Sequence, residues 1–228
     1  MISQNIKVAV DAVVFGYVER QLQLLLIKQK YGSEKNKWAL PGGFVLDHED
    51  LDTAVTRELQ EETGITLAYL EQLYTFGAVK RDNRQRVVSI AYLGLINPKK
   101  FKLTASTDAL EVGWFAIDAL PPLAFDHQEI VAKGLERLQN KISYKPVGFE
   151  LLNTEFPFSD IENLYQTILN KPIDRRNFRK KLMSFGILEE TDKISKPESG
   201  RPAKLFRFNT KKYKALEQKG FHFEIKFA

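Results

Sequence analysis

Short apolar and polar blocks alternate along the N-terminal part of the chain. Lys7 to Tyr17, rich in Val and Ala, and Gln21 to Lys28 (QLQLLLIK) read as two strands, with Gly16 to Arg20 as the turn between them. Trp38 to Phe44 (WALPGGF) is apolar but interrupted by Pro41, Gly42 and Gly43, the pattern of a strand end running into a tight loop. Asp50 or Asp52 can cap a helix that runs to about Thr63, where Gly64 supplies a left-handed stop. Further strands are predicted at Glu71–Val79, Val87–Ile96 and Glu111–Ala116. A helix is predicted over His127–Lys141, with Ile130, Val131, Leu135 and Leu138 on one stripe. Trp114 and Phe115 are assigned to the core, and His48 and His127 to surface or capping positions. Strands flanking helices in this way make an α/β or α+β domain.

Beyond Lys145-Pro146-Val147-Gly148, read as a joint, the periodicity becomes helical. Ser159 can cap a helix, with Glu162 three residues on completing a capping box, and Ile161, Leu164, Tyr165, Ile168 and Leu169 form its apolar stripe. Asn170-Lys171-Pro172 breaks it. Asp174 can cap a second helix, Arg175 to about Phe185, closed by Gly186. Ile187 to Asp192 and Ala203 to Phe208 can then pair as a hairpin around Lys193–Pro202. The domains are therefore expected at 1–144 and 145–228.

Composition narrows the chemistry. Of the 228 residues, 43% are hydrophobic and 28% charged, enough apolar material for a real core. There is no cysteine, which excludes disulfides, thiolate metal sites and cysteine nucleophiles. Three histidines far apart in sequence argue against a His-cluster zinc site. No apolar run approaches the roughly 20 residues of a membrane span, and Met1 to Val14 lacks the apolar core of a signal peptide. A cytoplasmic protein without a membrane partner is expected. The net charge of +5 is uneven: residues 1–144 carry 17 basic and 18 acidic residues, whereas 171–214 carry 14 and 5. A basic excess at one end fits either a polyanion-binding module or a solvated Lys-rich surface.

In the first helix, Glu58, Glu61 and Glu62 stand at i, i+3 and i+4, which brings three carboxylates onto one face. Such an arrangement repels itself unless a cation compensates. A hard divalent ion, Mg²⁺ or Mn²⁺, suits oxygen donors, and Arg57 adds a fixed cation that can orient one carboxylate. Three glutamates alone also fit an ordinary acidic helix face. Lys80 to Arg86 (KRDNRQR) packs basic residues between two strands, and Arg81, Asp82, Arg84 and Arg86 read either as phosphate- or ribose-binding groups or as a polar hairpin turn. Asp108 and Glu111 are further candidates for an acid or base.

The full segment decides more. Gly43, five residues, Glu49, seven residues and then Arg57-Glu58-Leu59-Gln60-Glu61-Glu62-Thr63-Gly64-Ile65 matches every fixed position of the box G-x5-E-x7-R-E-U-x-E-E-x-G-U, and the chain resembles the Nudix hydrolases. The resemblance implies an α/β/α sandwich and attack on a nucleoside diphosphate linked to another group. It implies Glu58 and Glu62 as metal ligands, Glu61 as ligand or base, Arg57 and Glu49 as orienting partners, and the Gly43 carbonyl near the metal. Phe76 to Asp82 and Arg86 to Tyr92 resemble the corresponding regions of ADP-ribose-type Nudix proteins.

A basic helix followed by a basic hairpin fits either a basic protein–protein docking module or a winged helix-turn-helix. Arg175, Arg176, Asn177, Arg179, Lys180, Lys181, Arg201 and Lys204 are its candidate DNA-binding residues. Pro172 to Leu182 and Gly200 to Phe208, following a Nudix domain, resemble the Nudix-related transcriptional regulators. That resemblance implies a homodimer on operator DNA, with a Nudix domain that senses a nucleotide- or sugar-derived effector such as ADP-ribose. Many of those regulators have a decayed box; here it is intact, so a metal-dependent pyrophosphatase is the alternative.

Overall fold

The structure is a computed structural model describing residues 5–67, 69–105, 109–195, 202–225 and 227. The chain divides into two compact units, Met1–Arg137 and Leu138–Ala228.

The first unit contains β1 (Lys7–Val18), β2 (Gln21–Gln29), β3 (Trp38–Ala39), β4 (Gly42–Phe44), α1 (Leu51–Thr63), β5 (Tyr69–Phe76), β6 (Val87–Leu95), β7 (Ala109–Ala116) and the start of α2 (His127–Tyr144). Among the described residues these strands form one sheet in the order β3-β2-β1-β6-β5, with β4 also pairing β1 and β7 pairing β2. β1 and β6 run parallel, from Lys7 opposite Val87 to Phe15 opposite Leu95. The turn expected at Gly16–Arg20 is shorter than the sequence suggests. β1 continues to Val18, which pairs with Gln21, and Glu19 and Arg20 alone make the turn at φ 51° and 63°. Gly16 serves close packing instead, since a Cβ there would lie 2.4 Å from Cγ of Pro98.

β1 is buried on both faces, which makes the unit an α/β/α sandwich. Val10, Ala12 and Val14 pack with Ala54, Val55 and Leu59 of α1. Val13 points the other way, 2.8 Å from where a Cβ on Gly134 of α2 would sit. Leu59 is 1% exposed, and its truncation to Ala would cost about 2–5 kcal/mol. At the ends of α1, Asp50 accepts from the Thr53 N–H and Gly64 adopts the left-handed conformation.

The second unit contains β8 (Glu155–Pro157), α3 (Phe158–Leu169), α4 (Arg175–Phe185), β9 (Leu188–Ile194), β10 (Lys204–Phe208) and α5 (Thr210–Lys219). Its strands order β8-β10-β9. Helix, turn, helix and hairpin follow one another as a winged helix does. Phe158, Ile161, Leu164, Tyr165 and Ile168 of α3 and Phe178 and Leu182 of α4 are buried. Asp174 caps α4 through the Asn177 N–H, and Gly186 ends it. The capping box expected at Ser159 does not form. Pro157 is the N-cap of α3 with no side-chain cap bond, so Ser159 lies inside the first turn and Glu162 is free for another partner. Among the described residues no helix is long and apolar enough to cross a membrane.

Candidate functional site

Arg57 is the hub of the carboxylate face. Its Nε and Nη2 donate to the two oxygens of Glu49 at 2.9 and 2.6 Å, and Nη1 donates to Glu58 at 2.8 Å and Glu61 at 3.1 Å. Nη2 also reaches the Phe44 carbonyl at 3.2 Å, tying α1 to β4. The hydrogen bond from Arg57 holds the Glu49 carboxyl down at about 2, helped by the Leu46 N–H. Burial pushes the Glu58 carboxyl up, against the pull of Arg57. Glu62 is buried, and its Oε2 accepts from the Gly42 N–H at 2.8 Å.

Glu58 lies against Gly43, where a Cβ would come within 2.3 Å of Oε1. Two carboxylates from one helix face therefore meet the Gly42-Gly43 backbone, while the Glu61 side chain, 58% exposed, turns outward to Arg57. Among the described residues no three Asp, Glu or His side chains are gathered as a complete ligand set. Mg²⁺ asks for less: one or two carboxylates, with water or substrate phosphate completing the shell. The hard oxygen donors of Glu58, Glu62 and the Gly43 carbonyl fit that requirement.

Gly42, Gly43 and Phe44 also line a cleft of about 200 Å³, together with Asp11, Arg81, Asp82, Arg84, Phe125 and His127. Its floor is a buried polar knot. Arg81 donates to both oxygens of Asp126 at 2.8 and 2.7 Å, and its Nη2 lies 3.5 Å from Asp11. Ser89 donates to the same Asp11 oxygen. His127, read from the sequence as a surface or capping residue, is instead 4% exposed, and its Nδ1 accepts from the Leu40 N–H at 2.9 Å. That bond assigns the proton to Nε2, 3.4 Å from Asp11. Burial pushes the His127 pKa down, and Asp11 and Asp126 oppose it.

The rim is different. Arg84 pairs side by side with Asp82 at 3.0 and 2.7 Å, and its guanidinium lies 5.3 Å from the Phe125 ring centroid. This offers a flat cationic and aromatic surface at the mouth. Arg86 turns away and donates to the Ala78 and Val87 carbonyls. Glu111 pairs with Lys28 at 2.7 Å, His48 is exposed, Trp114 packs against the core, and Asp108 lies outside the described residues.

On the second unit, α4 separates its cations by environment. Arg175 donates through Nε to Glu162 at 2.9 Å. Asn177 is engaged with Asp174, and Lys181 lies over the Phe185 ring. Arg179 stacks 4.6 Å from the Phe158 centroid and 5.5 Å from that of Phe206. Lys204, on β10, pairs with Glu190, and Arg201 lies outside the described residues. The side chains of Arg176 and Lys180 are exposed at i and i+4, and Arg176 gives its backbone N–H and its charge to Asp174.

Comparison with known proteins agrees with both units. Residues 6–134 match the NUDIX domain model, and 148–208 match the NrtR DNA-binding winged helix domain. The "ADPR responsive transcriptional repressor NtrR" of Acinetobacter baylyi is 36% identical over 208 residues, which cover 90% of this chain and 82% of that protein. The crystal structure of Shewanella oneidensis NrtR complexed with a 27mer DNA superposes with a TM-score of 0.81 at 28% identity, covering 97% of this chain and 99% of the other. The NUDIX domain of the same NrtR complexed with ADP ribose gives 0.57 at 33% identity, covering 60% of this chain and 90% of that one.

Proposed function

The chain belongs to the Nudix family, with an NrtR-type winged helix behind its Nudix domain, and on that footing we propose that it is an ADP-ribose-responsive transcriptional repressor. The observation that carries this reading is the pairing, in one chain, of a cleft beside the Nudix box lined by Arg81, Asp82 and Arg84 with the basic, exposed face of α4. Arg84 and Phe125 offer the adenine a face to stack on, and Arg84 carries charge to the phosphates. The Asp11 carboxylate, braced by Ser89 and His127, is an acceptor for ribose hydroxyls. Arg81, held by Asp126 and Asp11, shapes that wall.

DNA is held by α4. Arg176 suits base contact because its fork can pair bidentately with guanine, and Lys180 suits a phosphate. The protein acts in the cytoplasm as a homodimer. Its operator is then an approximate palindrome with half-sites one helical turn, or a multiple, apart. A mobility shift against the protein's own upstream DNA, with and without ADP-ribose, tests the reading. It predicts a shifted complex whose amount changes with ADP-ribose; no binding even at low salt, where phosphate contacts are strongest, contradicts it.

The contact of Glu58 with Gly43 favours a second reading, hydrolysis of the bound ligand. Nudix hydrolases generally use divalent cations; here Glu58, Glu62 and the Gly43 carbonyl would hold Mg²⁺ or Mn²⁺, with Glu61 as a further ligand or the base. When bound, the ion supplies charge neutralisation for a pyrophosphate and acidifies water. Arg57 orients Glu58 and is itself fixed by Glu49. Turnover of ADP-ribose with Mg²⁺ or Mn²⁺, lost in Glu62→Gln, supports this reading; no turnover under either metal removes it.

A further inference from the structure

Glu162 is a charged side chain buried among the described residues of the second unit. It lies on α3 and is not used as a helix cap. Among the described residues it accepts one hydrogen bond, from Nε of Arg175, the first residue of α4, at 2.9 Å. The two partners differ sharply in environment: the Glu162 side chain is 6% exposed and that of Arg175 is 74% exposed. Burying a carboxylate is costly, and pairing it with a largely solvated cation returns little stability. A hydrophobic residue would pack α3 against α4 at least as well.

Arginine geometry suggests what the pair does. The guanidinium is planar, and its donors form a rigid fork. With Nε committed to Glu162, the swing of the group is restricted. Its two terminal nitrogens make no hydrogen bond with a described residue and face solvent. A fork held in this way binds a phosphate through two parallel hydrogen bonds without first losing its freedom. Arg179 is held differently, by stacking on Phe158 and Phe206. We propose that Glu162 is a positioning residue that presents Arg175 as a clamp for a DNA backbone phosphate beside α4. The inference rests on the DNA-binding reading above.

The test uses the full chain, its upstream operator fragment and an unrelated duplex, with affinity measured over a range of salt concentrations. Arg175→Gln is expected to weaken both DNAs alike and to lower the slope of log K against log salt by about one. Glu162→Met, which keeps the length and removes the acceptor, should lower it equally. The double variant should lose no more than either alone. Glu162→Gln retains an acceptor oxygen for Nε and should restore the wild-type slope. ADP-ribose binding by the Nudix domain should be unchanged throughout.

A Glu162→Met protein with a lowered melting temperature but an undiminished slope makes the pair a simple staple between helices and overturns the proposal. So does a double variant whose losses add. If Glu162→Met does not fold, Arg175→Gln decides alone, because an unchanged slope there excludes a phosphate contact. Lys180→Ala keeps the two ideas apart: if it weakens DNA binding while Arg175→Gln does not, only the clamp fails, and if the wild type binds no DNA at low salt, the DNA-binding reading fails with it.

Discussion

Oε1 of Glu58 occupies the space in which a side chain on Gly43 would begin, 2.3 Å from an ideal Cβ. Gly43→Ala must therefore push the Glu58 carboxylate off the β4 backbone. Arg57, bonded to Glu58 and Glu49, restricts where it can go. The variant is expected to keep the fold and to bind Mn²⁺ at least tenfold more weakly, about 1.4 kcal/mol. Calorimetric titration with Mn²⁺ checks this; an unchanged affinity would place the metal elsewhere.

The buried His127 gives the Nudix domain a specific pH response. Burial lowers its pKa below the ordinary value, so the unfolded chain binds a proton that the folded state refuses. Its contribution to stability is therefore present above the unfolded pKa of roughly 6.5 and is lost as the pH falls below it, towards the folded pKa. His127→Gln keeps an acceptor for the Leu40 N–H but cannot titrate. Urea denaturation of both proteins at pH 5 to 8 should show a shallower fall for the variant on the acid side.

At the rim of the cleft, Phe125→Ala removes the ring beneath Arg84. ADP-ribose should bind more weakly by about 1–3 kcal/mol, the range for losing one stacked base. DNA affinity without ligand should not change. Equal ADP-ribose affinity in the two proteins would move the adenine off this surface.

Arg176 and Lys180 differ in what they are expected to read. Arg176→Ala should cost about 1–3 kcal/mol on the operator and relax the preference at one base pair. Lys180→Ala should weaken every sequence similarly and lower the salt slope by about one. Binding to a panel of single-base operator variants separates the two patterns.

Much of this was legible in the sequence where the signal is local. Asp50, Gly64, Asp174 and Gly186 mark helix ends, and all four act as caps in the structure. The box spacing likewise sets Arg57 among Glu49, Glu58 and Glu61 on one helix and the loop before it. The role of His127 was not legible, because the N–H it accepts from belongs to Leu40, 87 residues away in sequence. Glu162 read as a cap by spacing, but Pro157 already supplies the N-cap of α3 and Arg175 takes the carboxylate. The short β8 and the polar α5, which buries none of its own residues, carry too little periodicity to be read. The rim pair of Arg84 and Phe125 joins two loops distant in sequence, and only folding brings them together.

The central claim is that one chain couples ADP-ribose to DNA. Linkage makes this measurable in either direction: whatever factor ADP-ribose applies to operator affinity, the operator must apply to ADP-ribose affinity. Calorimetric titration of ADP-ribose into the free protein and into its operator complex is the direct test, run without divalent metal so that no ligand is consumed. The account predicts two different affinities, whose ratio equals the change in operator affinity at saturating ADP-ribose. Identical ADP-ribose affinities with and without operator would contradict it.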